Sequence, residues 1–165
     1  MNLARILSIA SLIVCLPSHA IAAEGGESAC TTGASAEAEL RAMHDQATRA
    51  HLEGDAGLLA EGWADQVLSA SNGNVSVNGR EAMRSRFGTY LSGVRYLEWR
   101  AVEPPVVRVS PDGRMGWMAV RIVARLLVIA EPERGEQSFR SSWVATYERQ
   151  NCRWKMTAIA SSVVE

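Results

Sequence analysis

An α+β fold, with helices gathered early in the chain and strands late, is what this sequence predicts. Two patterns carry that expectation. Apolar residues recur at helical spacing from Leu40 to Ala50 and again from Met83 to Leu91, and from Val94 onward every segment has strand length and strand composition. Helices followed by a strand meander imply three helices packed on one face of a curved antiparallel sheet.

The chain opens MNLARILSIASLIVCLPSHAIAA. Arg5, the apolar run from Ile6 to Leu16, the breaker Pro17 and the small residues Ala20, Ala22 and Ala23 together read as a secretory signal peptide over residues 1–23. The run is about a dozen residues, shorter than the roughly 20 that a membrane-spanning helix needs, so it is expected to be cleaved and not to anchor the protein. Lipidation at Cys30 is a lesser alternative, since neither LIVC nor ESAC places a convincing small-residue run before its cysteine. The mature chain is therefore expected in the periplasm or outside the cell, with no membrane span. Residues 24–34 are expected to be a flexible polar lead-in, and residues 35–165 a single domain. About 142 residues would remain, enough for one core. The formal charge of the whole chain is −1, without a block of like charges. That argues against a nucleic-acid partner, which requires a clustered basic face.

Ser35 is placed to cap a helix over residues 36–53, with Glu37 and Glu39 near its positive end and Gly54 beyond its last turn. Asp55 caps a short second helix carrying Leu58, Leu59 and Trp63. Val67 to Ala70 and Val75 to Val77 read as short strands around the turn SNGN. Arg80 to Leu91 is a third helix, with Met83, Phe87, Tyr90 and Leu91 on one side and Gly93 past its end. The strands then follow: VRYLEWRAV, VVRVS after Pro104-Pro105, the long MGWMAVRIVARLLVI, FRSSWVATYERQ and RWKMTAIASSVV. In the long strand, Met118, Val120, Ile122, Ala124 and Leu126 form one uncharged face that belongs in the core.

Two cysteines follow the leader, Cys30 and Cys152. In an oxidising compartment such a pair suggests a disulfide. Cys152 also occupies the turn position after Asn151 where φ is commonly positive and glycine is the usual choice. The alternative is two unpaired thiols. A catalytic Cys152 has little support, because Arg153 and Lys155 are its only near cations and no base lies beside it in the sequence.

HLEGDAGLLAEGWADQVL, VNGREAMRSRF and ATYERQNCRWKMTAIASS resemble the nuclear transport factor 2-like superfamily, in particular its SnoaL-like bacterial members. The matching features are Gly54-Asp55 entering the second helix, Ala64-Asp65 before the first strand, Gly79-Arg80-Glu81-Ala82 opening the third helix, and Arg153-Trp154 in the last hairpin. The resemblance covers residues 36 to 163. It implies a cone-shaped sheet wrapped around the long first helix and an apolar cavity, commonly in a homodimer. It does not imply one activity, because the same fold serves isomerases, dehydratases, hydrolases, cyclases and binding modules. The ketosteroid isomerase sites do not carry over. Their general-base position falls among Leu68-Ser69-Ala70-Ser71, their oxyanion tyrosine at Ala47, and the late histidine of other members at Ile159 to Ser161.

Leu40, His44, Ala47 and His51 lie along one helical stripe, which by the resemblance looks into the cone. Trp63, Phe87, Trp99 and Trp143 are expected to share the cavity wall, while Trp99, Trp143, Tyr96 and Tyr147 either line it or fill it. His44 is the candidate general acid or base, since imidazole titrates near neutral pH. The bland alternative has His44 hydrogen-bonded within the core and His51 packed at the helix end. Seven residues separate the two, about 10 Å along the axis, too far to share a metal ion. No metal and no cofactor are implied. Glu98 is the best carboxylate for a buried base, although Tyr96, Glu98 and Arg100 more readily form an exposed ladder. On the outer face of the long strand, Trp117, Arg121 and Arg125 suggest a dimer interface, or alternatively a solvent face or anion-binding arginines turned to the cavity. The expected function is an exported cone-fold domain that binds a small, largely apolar molecule. The alternatives are a cofactor-independent isomerase, dehydratase or hydrolase using His44, and a non-catalytic dimeric interaction domain.

Overall fold

The structure is a computed structural model and describes residues 30–164; the proposed leader and most of the lead-in lie outside the described residues. Helix α1 (Gly33–Glu53) begins earlier than the capping signal at Ser35. Its N-cap is Thr32, whose side chain makes no capping bond. The cause is tertiary. Cys30 is bridged to Cys152 with Cα atoms 5.2 Å apart, and Thr31 and Thr32 pack on Gly113, where an added Cβ would lie 2.8 Å from the Thr32 Cγ2. Anchored there, the backbone turns helical before its best cap. Glu37 and Glu39 consequently lie past the first turn and pair with Arg41 at 3.4 Å and Arg149 at 2.5 Å.

Helix α2 (Ala56–Ala60) is capped by Asp55, whose carboxylate accepts the Leu58 N–H at 2.9 Å. Trp63, expected on this helix, instead opens β1 (Trp63–Ser71), because the helix stops before Gly62 and Trp63 pairs with Met156 of the last strand. The remaining elements are β2 (Asn74–Gly79), α3 (Arg80–Ser92), β3 (Val94–Ala101), β4 (Val106–Val109), β5 (Met115–Val128), a 3-10 turn (Pro132–Arg134), β6 (Glu136–Gln150) and β7 (Arg153–Val164). At the β6–β7 turn, Asn151 and Cys152 both have positive φ, 52° and 58°, the backbone that suits the twist of a two-residue hairpin.

The strands form one seven-stranded sheet in the order β2-β1-β7-β6-β5-β3, with β4 also on β5. β5 is long enough for β4 and β3 to share its free edge, β4 along residues 116–119 and β3 along 122–128. The sheet is mixed, not antiparallel throughout, because β7 returns from its hairpin with β6 to lie parallel to β1. It does not close into a barrel. Register shifts in β3, in β1 and between β6 and β7 interrupt the ladders, and irregularities of that kind bend a sheet.

The inner face packs against α1. Met118, Val120, Ile122, Ala124 and Leu126 of β5 are all buried there with Ala145, Trp154 and Met156. The Leu40 side chain of α1 fills the space over Gly116 of β5, where an added Cβ would sit 2.7 Å from the Leu40 Cδ1. In β3 the shift between Tyr96 and Glu98 places Tyr96 and Trp99 inside, so Tyr96 is not part of the Glu98–Arg100 ladder. Among the described residues no helix is long and apolar enough to cross a membrane.

Candidate functional site

Between α1, α2, α3 and the inner face of the sheet lies a cavity of about 1000 Å³. His44, Ala47 and His51 of α1 line it, as do Trp63, Phe87, Trp99 and Trp143. Leu40 does not. It is wholly buried beneath Gly116, its side chain turned onto β5, while its neighbour Glu39 lines the cavity.

His51 is held in a defined tautomer. Its ring stacks on Trp99 with centroids 3.7 Å apart and 15° between planes, and its Nδ1 lies 2.7 Å from the Ala47 carbonyl oxygen. A carbonyl only accepts, so Nδ1 carries the proton and Nε2 is the bare nitrogen. Burial pushes the His51 pKa below the usual imidazole range, outweighing the bond to Ala47, with the nearby His44 adding to the lowering. His44 is buried, its ring 6.2 Å from that of Trp143. It has no hydrogen-bond partner among the described residues, which corrects the reading of a satisfied core histidine. Burial lowers its pKa as well, against the opposing charge of Asp45. Both imidazoles are thus neutral at pH 7.

The aromatic wall continues through Trp99, whose ring is 6.4 Å from Trp143 and 5.1 Å, edge to face, from Tyr96. Tyr96 shares a hydroxyl–hydroxyl bond of 2.6 Å with Tyr90, and burial raises its pKa strongly. On the helical side Trp63 and Phe87 pack at 5.3 Å. Tyr147 also lines the cavity. Its hydroxyl has no bond to another described residue, and burial pushes its pKa up to about 12. A neutral phenol and two neutral imidazoles in a largely apolar space can donate to and accept from a ligand. Among the described residues no carboxylate hydrogen-bonds either ring.

Sequence reasoning did not assign Ser69, Ser71, Ser161, Met118, Met156 or Arg86 to the cavity. The serines come together through register, Ser71 beside Ser161 and Ser161 beside Trp143. The positions compared with ketosteroid isomerase sites, Ala47, Ser69, Ser71, Ile159 and Ser161, do line the cavity, with side chains that cannot act as a general base at neutral pH.

Glu98 is not a buried base. It bonds Arg100 at 3.0 Å and Arg125 at 2.8 Å, and those guanidiniums hold its carboxyl below the usual range. The arginines of β5 do not turn inward either. Arg125 also pairs with Glu136 at 2.6 Å and Arg121 with Glu103 at 3.4 Å, and both lie with Trp117 on the exposed outer face, where strand alternation places them. Among the described residues no group of three or more His, Cys, Asp or Glu side chains is arranged to hold a metal ion.

The SnoaL-like domain family matches residues 40–165. No curated protein gives a significant sequence match. Among solved structures, a nuclear transport factor 2-like protein from Salmonella enterica serovar Typhimurium superposes with a TM-score of 0.67 at 10% identity, over 78% of this chain and 90% of that one. A ketosteroid isomerase-like protein from Erwinia carotovora atroseptica gives 0.65 at 11% identity, over 81% and 99%. A nuclear transport factor 2-like protein with a cystatin-like fold from Novosphingobium aromaticivorans gives 0.61 at 18% identity, over 79% and 83%. These likenesses are of fold.

Proposed function

Because the chain belongs to the SnoaL-like domain family, within the nuclear transport factor 2-like superfamily, we propose that it binds a small, largely apolar molecule in the cavity beside α1, outside the cytoplasm. The observation that carries this reading is the wall itself. Trp99, Trp143 and the two neutral imidazoles surround a space of about 1000 Å³, the size and character of a ligand pocket. Export is supported by the leader-like N-terminus and by the Cys30–Cys152 bridge, a bond that persists in oxidising compartments. Native mass spectrometry of protein purified from its source tests the reading. A retained small molecule, absent from Ala47→Trp protein prepared in the same way, is expected.

A second reading, acid–base catalysis by His44, draws on one observation: the imidazole is buried, neutral and uncommitted beside the cavity. It requires a turnover that titrates with His44 and falls roughly 100-fold or more in His44→Ala.

The protein is further proposed to be a homodimer through the outer sheet face. The register aligns Val75, Ala70, Ala160, Val144, Ala119 and Val106 in one row across six strands. Val75, Val106 and Val144 are exposed, and Trp117 flanks the row with 40% of its surface accessible. A contiguous apolar stripe with an aromatic at its margin is suited to a partner surface. Arg121 borders it, whereas Arg125, farther along β5, is engaged by Glu98 and Glu136.

A further inference from the structure

The ligand's charge can be read from the groups that meet the cavity. Two carboxylates line it, Glu39 and Glu61; the first is ion-paired, and the second keeps its charge beside a neutral donor. Glu39 accepts from Arg149 and Thr31, and Glu61 from the Gln46 amide at 3.0 Å. Of the cations that line it, Arg80 pairs with Asp65 at 2.9 Å and Lys155 donates to the Glu61 carbonyl. Arg86 has no ion-pair or hydrogen-bond partner among the described residues. It follows Met83 by one helical turn and adjoins Phe87, and all three line the cavity. Arg153 is likewise uncommitted, but it alternates with Trp154 and Met156, the residues of β7 that are buried in the core. The remaining polar groups include the hydroxyls of Ser69, Ser71, Ser161 and Tyr147, which donate as readily as they accept.

Among the described residues, the charged groups at the cavity that lack an ion pair are therefore three cations, Arg86, Arg153 and Lys155, against one carboxylate, Glu61, and the balance is positive, with Arg86 on the α3 side. The body of the site is made of indole and imidazole rings, which favour a flat π-system. We propose that the ligand is an aromatic or polyenoic carboxylate, or an enolate of similar size, whose planar body lies along Trp99 and Trp143 and whose anionic group pairs with Arg86. This rests on the reading of the cavity as a binding site and adds the chemical class of its occupant.

The test compares three probes of one shape by calorimetric titration: 2-naphthoate, 2-naphthamide and 2-naphthylmethylammonium. The expected order is carboxylate about tenfold tighter than amide, with the ammonium weakest. Arg86→Gln should remove the carboxylate's advantage and leave amide affinity unchanged. Arg84→Gln, two residues away on another side of α3 and paired with Glu81, should leave all three unchanged. If the amide binds as tightly as the carboxylate to the unaltered protein, or if Arg86→Gln weakens both equally, the anion assignment is wrong while the cavity remains a binding site. If none of the three binds, both readings fail.

Discussion

The His51 imidazole lies face to face on the Trp99 indole, 3.7 Å between centroids, while its Nδ1–H points to the Ala47 carbonyl. Packing and tautomer are thereby set together, at the end of α1 where the chain is about to leave the cavity. Both this ring and His44 are neutral for the same reason, which is loss of hydration. The linkage has a definite sign. In the unfolded chain both residues titrate near about 6.5, and in the folded protein they titrate lower, so between the two values the unfolded state binds more protons. Stability contributed by neutral burial is complete above about 6.5 and is lost as pH falls toward the folded pKa values. NMR titration of the ring protons should place both midpoints below 6.5, and Tm should fall between about pH 7.5 and about pH 5.5. In a His44→Phe, His51→Phe protein that dependence should flatten. A midpoint above 6.5 for either ring would contradict the burial argument.

The bridge from Cys30 to Cys152 spans 122 residues of sequence. Closing so long a loop restricts the unfolded chain more than the folded one. Removing it in a Cys30→Ser, Cys152→Ser protein should cost about 2–4 kcal/mol in urea unfolding. The loss should be accompanied by faster amide exchange over residues 30–36, where Thr31 and Thr32 are held against Gly113. Unchanged stability would mean the bridge does not constrain the fold.

Beside that bridge, Arg149 is a guanidinium with only 5% of its side chain exposed, placed over the Trp154 ring at 4.5 Å and paired with Glu39. Glu39 itself is more accessible, so the pair is partly screened. Glu39→Gln removes the compensating charge and leaves a buried cation, which should cost about 1–3 kcal/mol. Arg149→Met, which removes the charge and keeps the packing on Trp154, should cost less than Glu39→Gln when both are compared by urea unfolding. The reverse order would contradict the account of the pair.

Much of this architecture is legible in the sequence where its causes are local. The faces of β5 follow from strict alternation over its length and the α1 stripe from helical spacing, while the family resemblance is what turns that stripe toward the cavity, where His44, Ala47 and His51 lie. What was not legible depends on distant partners. A helix start set by a disulfide and by Gly113 overrides Ser35. A register shift against β5 separates Tyr96 from Glu98, and no period within β3 signals it. The parallel pairing of β1 with β7 joins segments nearly a hundred residues apart. Arg86 and the serines reach one cavity from α3, β1 and β7, and only the assembled fold brings them together. Leu40 shares the stripe yet packs on Gly116, a glycine of β5 that leaves room for its side chain and that only the assembled fold brings beneath it.

The apolar row on the outer sheet face leads to an oligomeric prediction. The protein should sediment as a dimer at micromolar concentration, and Val144→Glu, which sets a charge in the middle of the row between Ala119 and Ala160, should yield a folded monomer. A wild-type monomer at high concentration would remove that surface from consideration.

The central claim is that the space beside Ala47 holds a ligand by its apolar and aromatic walls. Calorimetric titration of 2-naphthamide into the wild-type, His44→Ala and Ala47→Trp proteins tests it most directly. Wild-type and His44→Ala affinities should agree within about threefold, since the wall is the main contact, and Ala47→Trp, its folding verified by circular dichroism, should show no binding. Undiminished binding to Ala47→Trp, or its loss in His44→Ala alone, would contradict the claim.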